Sequence, residues 1–274
     1  MPAAVVPVAV GAAAAVGEPT DIVWWRVVAA LVVSLALQVG VNYANDYSDG
    51  VRGTDDVRVG PTRLVASGLA SPSAVKRAAL LSFGTAAVAG LAVALSTSLV
   101  LLLVGAAAIA AGWFYTGGPK PYGYLGLGEV FVFVFFGLVA ASGTTFAAIG
   151  SVTVLSLVMG CAVGSLACAL LVINNLRDIP TDREVGKKTL AVRLGDQRTR
   201  WFYVLLIGAA FALCVVGAAW RLPVLLGLLA VPLAIRPIRA VIGGAAGGAL
   251  IPVLGETGKF QLAWGLLVTI GLAL

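Results

Sequence analysis

The chain has 274 residues, 60% of them hydrophobic and 11% charged, with a formal net charge of +6 and a mean hydropathy of +1.03. That balance excludes a soluble globular domain and describes a polytopic membrane protein. There is no histidine, which excludes an imidazole base, haem ligand or metal ligand.

Taken in chain order, the first apolar run covers 2–17. Its GAAAAVG would suit signal-peptide cleavage, but no basic residue precedes it, and a first spanning helix is expected. The run is short and begins at the chain's edge, which leaves room for a polar leader lost from the start. The second run, 24–45, leads into NYANDYSDGVRGTDD (42–56), four acids and two asparagines in an otherwise hydrocarbon-rich chain. Asn42, Asn45, Asp46 and Asp49 stand at i, i+3, i+4 and i+7 and are expected to share one helix face at the end of a lipid-buried segment. Polar groups at such depth are costly and face a bundle interior or a wet cavity. Gly50 and Gly53 are expected to end the helix, placing Asp55 and Asp56 on the following loop.

Runs at 78–95 and 97–115 follow, then YTGGPKPYGYLGLGE (115–129) and further runs at 129–148 and 151–174. Glu129, at the entrance of the fifth run, receives no assignment. The sixth run ends in INNLRDIPTDREVGKKTL (173–190), where Asn174 and Asp178 repeat the spacing of Asn45 and Asp49. Each cluster ends an apolar helix and precedes a basic stretch, so the chain reads as two related halves. Pro180 is expected to break the helix and take Asp182 off the face of Asp178. Runs at 201–220, 222–239 and 259–274 complete an all-α membrane domain of about nine helices over 1–274. Cys161, Cys168 and Cys214 lie inside apolar runs without C-x-x-C spacing and read as packing residues. Most of the 34 glycines read as close helix contacts in lipid.

If the first helix enters from the cytoplasm, every basic residue except Arg26 and Arg221 falls in the cytoplasmic segments 46–77, 113–128, 175–200 and 236–259. The basic excess is thus a matter of topology, and no nucleic-acid partner is implied. Asp196 and Glu256 read as loop charges paired with nearby arginines. The two acidic clusters need another explanation. Carboxylates at the ends of membrane helices, each beside Arg or Lys, suit a diphosphate carried on Mg²⁺, an ion that takes one or two carboxylates with phosphate oxygens and water. Lys and Arg then neutralise the remaining phosphate charge.

These blocks, NYANDYSDGVRGTDD, YTGGPKPYGYLGLGE and NNLRDIPTDREVGKKTLAVRLG (174–195), resemble the UbiA superfamily of intramembrane aromatic prenyltransferases. Within it they look most like the branch that prenylates 1,4-dihydroxy-2-naphthoate in menaquinone synthesis. The first signature, N-D-x-x-D-x-x-x-D, matches at Asn45, Asp46 and Asp49; Gly53 replaces its third acid, with Asp55 and Asp56 just beyond. The second, D-x-x-x-D, matches at Asp178 and Asp182. The resemblance implies that Asp46, Asp49, Asp178 and Asp182 hold Mg²⁺ against the diphosphate of a polyprenyl donor. Asn42, Asn45, Asn174, Asn175, Arg52, Arg63, Lys187 and Lys188 are then the expected substrate-binding groups. It further implies an active site facing the cytoplasm in the cell's inner membrane, with an electron-rich ring attacking an allylic cation and CO₂ released from the naphthoate.

Tyr115 and Lys120 flank TGGP and have two readings: acceptor or diphosphate contacts, or an interfacial aromatic and a topology charge. Tyr122 and Tyr124 read as belt residues, and Phe131, Phe133, Phe135 and Phe136 as lipid-facing or packing residues rather than the walls of an isoprenoid tunnel. Three rivals stand beside the naphthoate reading. One is the same fold acting on 4-hydroxybenzoate or a haem or chlorophyll precursor. Another is a cation-coupled transporter, which would place its acids near the midplane. The third is a phosphatidyl-alcohol phosphotransferase, whose D-G-x-x-A-R continuation is missing after Asp49.

Overall fold

The computed structural model describes residues 1–54, 60 and 62–274; Asp55, Asp56 and Arg58 lie outside the described residues. Lipid offers no partner for a bare peptide group, so an apolar chain of this length satisfies its backbone as helices. The first four are α1 (Pro2–Ala14), α2 (Trp24–Arg52), α3 (Pro72–Ser96) and α4 (Val100–Phe114). A 3-10 turn over Tyr122–Leu125 enters a continuous helical rod, Gly128–Ile149. The rod comprises α5 (Gly128–Val132), a π-helical stretch Phe133–Val139 and α6 (Ala140–Ile149). Then come α7 (Val154–Glu184), the short α8 (Leu190–Leu194) and α9 (Asp196–Gly217). A 3-10 segment, Leu222–Ala230, runs into α10 (Val231–Ile242), and α11 (Leu250–Ala273) ends the chain. Helices therefore cover every apolar run of the sequence, with no strand among the described residues. Among the described residues six helices are, by length and composition, long and apolar enough to cross a membrane, fewer than the expected nine; α1 and α4 are shorter apolar helices.

α7 is the axis of the molecule. In its most apolar window 72% of residues are buried, against 22–39% for the other five candidate spans. It packs on α1, α9, α11 and the π-helical stretch. At the last of these contacts a Cβ on Gly137 would lie 2.4 Å from the Cα of Gly164, so the two backbones touch only because neither has a side chain. The first and last helices are also neighbours, with Val6 of α1 filling the space left by Gly265 of α11. Leu81, Val88 and Leu103 point outward from α3 and α4, a surface suited to acyl chains. Cys168 and Cys214 are buried free thiols and Cys161 is half-buried, in keeping with packing roles.

Two local expectations are corrected. Gly53 does cap α2, in the left-handed conformation at φ 70°, but Gly50 lies inside the helix. Its missing side chain admits Val65 from the returning loop, whose Cγ1 would be 2.5 Å from a Cβ at that position. Pro180 does not break α7, which continues to Glu184. It falls in the last turns, where a proline forfeits one ladder bond, that to the Leu176 carbonyl, while the surrounding helix holds its course. Asp178 and Asp182 are consequently one turn apart on a continuous helix.

Candidate active site

The C-terminal ends of α2 and α7 open into one cavity of about 940 Å³. Asn42, Asn45 and Asp49 enter it from α2; Asn174, Asn175, Asp178 and Asp182 from α7; Arg63 and Lys187 from the loops that follow. The two clusters separated in sequence thus face a common space. The acids sit at helix ends rather than at the midplane, which disfavours an ion-coupling site.

Asp49 is 5% exposed and has both oxygens engaged. Its Oδ1 accepts a 2.6 Å hydrogen bond from the Tyr124 hydroxyl, and its Oδ2 lies 3.3 Å from Lys187 Nζ. Lys187 also lies over the Tyr124 ring, 4.6 Å from its centroid. Burial works against the charged Lys187, but Asp49, Tyr124 and Asp182 outweigh it and raise its pKa above the usual lysine value, so the ammonium persists. Burial, with Asp49 alongside, raises the Tyr124 hydroxyl as well, which keeps its proton available for donation. One salt bridge therefore joins the first cluster to the loop after the second.

On α7 the buried Arg177 grips Asp178 through Nε at 2.6 Å and Nη2 at 2.7 Å, a bidentate pair that fixes the carboxylate plane. Asp182 accepts a 3.4 Å hydrogen bond from Thr189. Asn45 is oriented by Thr116, whose hydroxyl donates to its Oδ1 at 2.9 Å. Asn175 donates to Glu129 Oε1 at 2.8 Å, which makes the buried Glu129 the support of a cavity-lining amide.

Several expected site residues lie elsewhere. Asp46 shares the helix but not the cavity lining; its carboxylate meets the backbone of Leu64 and Val65. Arg52 is exposed and bonds the carbonyls of Thr116 and Gly118, so it braces the turn before Tyr122 instead of lining the cavity. Lys120 and Lys188 are exposed side chains outside the lining, the first beyond the Gly118 turn and the second with its backbone N–H on the Tyr124 carbonyl. Tyr115 does line the cavity. Asp196 and Glu256 pair with Arg200 and Arg236 as expected.

Away from the acids the cavity is apolar. Tyr115 meets Tyr122 edge-on with centroids 5.5 Å apart, Tyr122 stacks on Phe131 at 3.9 Å, and Phe131 continues to Phe135 at 6.1 Å. Phe131, Phe135 and Phe136 line the cavity while Phe133 packs into the core, so three of the four phenylalanines depart from the packing expectation. The lining runs along α4 from Tyr115 and Gly112 to Leu101, roughly 20 Å at 1.5 Å per residue. Tyr124, Thr116, Glu129 and Arg177 have site roles that the sequence reading missed. The adjacency of Arg177 and Asp178 was the one available signal; the others depend on contacts across the fold.

The donor set is carboxylate and amide oxygen, with positive side chains beside it, which suits a hard divalent cation such as Mg²⁺. Among the described residues no three acidic, histidine or cysteine side chains form a metal cage by themselves. That is the expected economy where phosphate oxygens and water complete the shell.

A profile described as "UbiA prenyltransferase family" matches residues 4–243. The chain is 50% identical over 273 residues to 1,4-dihydroxy-2-naphthoate octaprenyltransferase of Mycobacterium tuberculosis (strain ATCC 25618 / H37Rv), covering 100% of this chain and 93% of that protein. In fold it matches the apo structure of a UbiA homolog from Aeropyrum pernix K1 with a TM-score of 0.74 at 16% identity, covering 98% of this chain and 96% of that one. It also matches a UbiA homolog from Archaeoglobus fulgidus bound to GPP and Mg²⁺, with a TM-score of 0.63 at 16% identity over 98% of this chain and 95% of that one.

Proposed function

Because the chain belongs to the UbiA prenyltransferase family and is a prenyltransferase, we propose that it moves a polyprenyl group from polyprenyl diphosphate to 1,4-dihydroxy-2-naphthoate, releasing CO₂ and diphosphate and giving demethylmenaquinol for menaquinone synthesis. The observation that carries the reading is a single cavity with carboxylates and cations from both clusters at one end and an aromatic-lined apolar passage beyond. The naphthoate acceptor is taken from the name of the Mycobacterium relative.

Asp49, Asp178 and Asp182, with amide oxygens of Asn45 and Asn174, are the groups that would hold Mg²⁺. When bound, the ion would neutralise charge on the departing diphosphate. Lys187 and Arg63 add positive charge at the same end. Tyr124 fixes Asp49 through its hydroxyl, and Arg177 fixes Asp178, so neither carboxylate must reorganise as charge develops. Departure of diphosphate leaves an allylic cation bordered by the aromatic side chains of Tyr115, Tyr122 and Phe131, and the apolar wall keeps water away.

The electron balance explains why a chain without histidine suffices. The ring carbon bearing the carboxylate forms the new bond to the prenyl C1. The bond from that ring carbon to the carboxylate then breaks, its pair restores the ring, and CO₂ leaves. No strong base is needed. The distribution of Lys and Arg supports a cytoplasmic mouth in the inner membrane.

Protein in lipid nanodiscs would be given Mg²⁺, a series of polyprenyl diphosphates and carboxyl-labelled dihydroxynaphthoate. The expected result is prenylated naphthoquinol of matching mass with stoichiometric labelled CO₂. Turnover with 4-hydroxybenzoate and none with the naphthoate would overturn the acceptor assignment.

A further inference from the structure

Asp46 has the sequence position of a metal ligand and the contacts of something else. It is 6% exposed, and its Oδ2 and Oδ1 accept the backbone N–H groups of Leu64 and Val65, each at 2.9 Å. Those two groups open a tight turn, closed by Ser67 N–H on the Arg63 carbonyl at 3.1 Å and by Ala70 N–H on the Leu64 carbonyl at 3.0 Å. A carboxylate taking the free N–H groups at the start of such a turn acts as a helix cap does. One helical turn further along α2, the bare Gly50 receives the Val65 side chain. α2 thus holds the loop at two adjoining points.

The residue immediately before the gripped pair is Arg63, which lines the cavity. Slightly upstream, Gly60 lies against Arg177: a Cβ there would be 3.3 Å from Cζ of the guanidinium that fixes Asp178. The loop consequently reaches from the first cluster to the second, with Arg63 between its two contacts.

We propose that Asp46 is a positioning residue rather than a metal ligand, holding the 63–68 turn against α2 so that Arg63 is presented to the donor's diphosphate. This inference rests on the diphosphate-donor reading above. An asparagine at 46 would keep one acceptor and aim its amide NH₂ at the other backbone N–H, releasing half of the grip.

The test uses the full chain in nanodiscs: wild type, Asp46→Asn, Arg63→Gln, their double variant, Gly50→Ala and Asp49→Asn. Measured are donor KM and kcat, the Mg²⁺ concentration for half-maximal activity, and Mg²⁺-dependent binding of geranyl S-thiolodiphosphate, which does not react. Asp46→Asn and Arg63→Gln should each weaken thiolodiphosphate binding and raise donor KM about tenfold or more, the scale of one lost hydrogen bond to a charged group. Their Mg²⁺ half-saturation should stay at the wild-type value, whereas Asp49→Asn should move it. The double variant should be within about twofold of the poorer single one, because both changes remove the same contact. Gly50→Ala keeps every carboxylate and pushes Val65 from the other side, so it should raise KM in the same direction; it also carries the test if Asp46→Asn fails to accumulate. A shift of Mg²⁺ half-saturation in Asp46→Asn, fully additive penalties, or a wild-type KM in Gly50→Ala would each overturn the proposal. Wild type that binds no thiolodiphosphate would instead overturn the donor reading.

Discussion

If the two acidic clusters grip one diphosphate, Asp49 and Asp178 should behave as a unit. Each is held in advance, Asp49 by Tyr124 and Lys187 and Asp178 by Arg177, so replacing either with asparagine removes a prepared charge rather than a mobile one. Losing one preorganised contact to developing charge costs about 3–4 kcal/mol. At 1.36 kcal/mol per tenfold, that is two to three decades of turnover for each single variant. Independent contributions would sum to roughly 6–8 kcal/mol, four to six decades, whereas a clamp already opened by the first loss should leave the double variant within about tenfold of the poorer single one. The assay is diphosphate release at saturating Mg²⁺ for wild type, Asp49→Asn, Asp178→Asn and the double, with protein in the membrane measured alongside. Cys161→Ala, which alters a half-buried packing thiol, should keep wild-type turnover. Fully additive penalties in the double variant would refute the shared clamp.

Tyr124→Phe removes the 2.6 Å hydrogen bond to Asp49 and should cost about 1.5–3 kcal/mol in kcat/KM, read by steady-state kinetics with limiting donor. Gly143 lines the apolar passage, and a Cβ there meets nothing within 4 Å; Gly143→Phe should shorten the longest prenyl chain transferred, seen as a fall in product mass with mixed donors, and an unchanged distribution would count against that path. Cysteines placed at the exposed Ser73 and Gln197, after removal of the native three, should resist an impermeant thiol reagent in intact cells and react in inverted vesicles; labelling of intact cells at both would reverse the topology.

Much of the architecture was legible because lipid simplifies the code. Each apolar run became a helix, Gly53 ended α2, and the Asn–Asp repeat marked the two helices whose ends meet. Side-chain direction was less legible. Asp46 and Asp49 lie three residues apart, about one helical turn, on an α2 face that the periodicity treats as a single stripe, yet one turns to a loop and the other to the cavity. Only the path of the loop decides this, and no local pattern encodes it. Pro180 misled for a related reason: proline's effect depends on how many ladder bonds remain after it, and α7 was already near its end. Tyr124 looked like an interfacial aromatic because the sequence cannot show that a carboxylate lies 2.6 Å from its hydroxyl. Likewise Arg52 and Lys188 were chosen by proximity in sequence, while the fold spends Arg52 on the carbonyls of a turn and leaves Lys188 at the surface.

The contact between α1 and α11 bears on how the molecule is made. Every acid of the two clusters has been synthesised by residue 182, but Pro2 and Ala3 of α1 and Leu254, Gly258 and Leu262 of α11 form part of the wall around them. Arg221 fastens the opposite end by donating to the carbonyls of both Ala13 and Leu272. A nascent chain that has inserted α7 therefore carries both acidic clusters with one side open to lipid. Closure waits for α11 to emerge from the ribosome and dock on α1. Insertion intermediates arrested before α11 should leave the cavity aromatics Tyr115, Tyr122 and Phe131 open to lipid-dissolved quenchers and photolabels, and docking of α11 should shut them out.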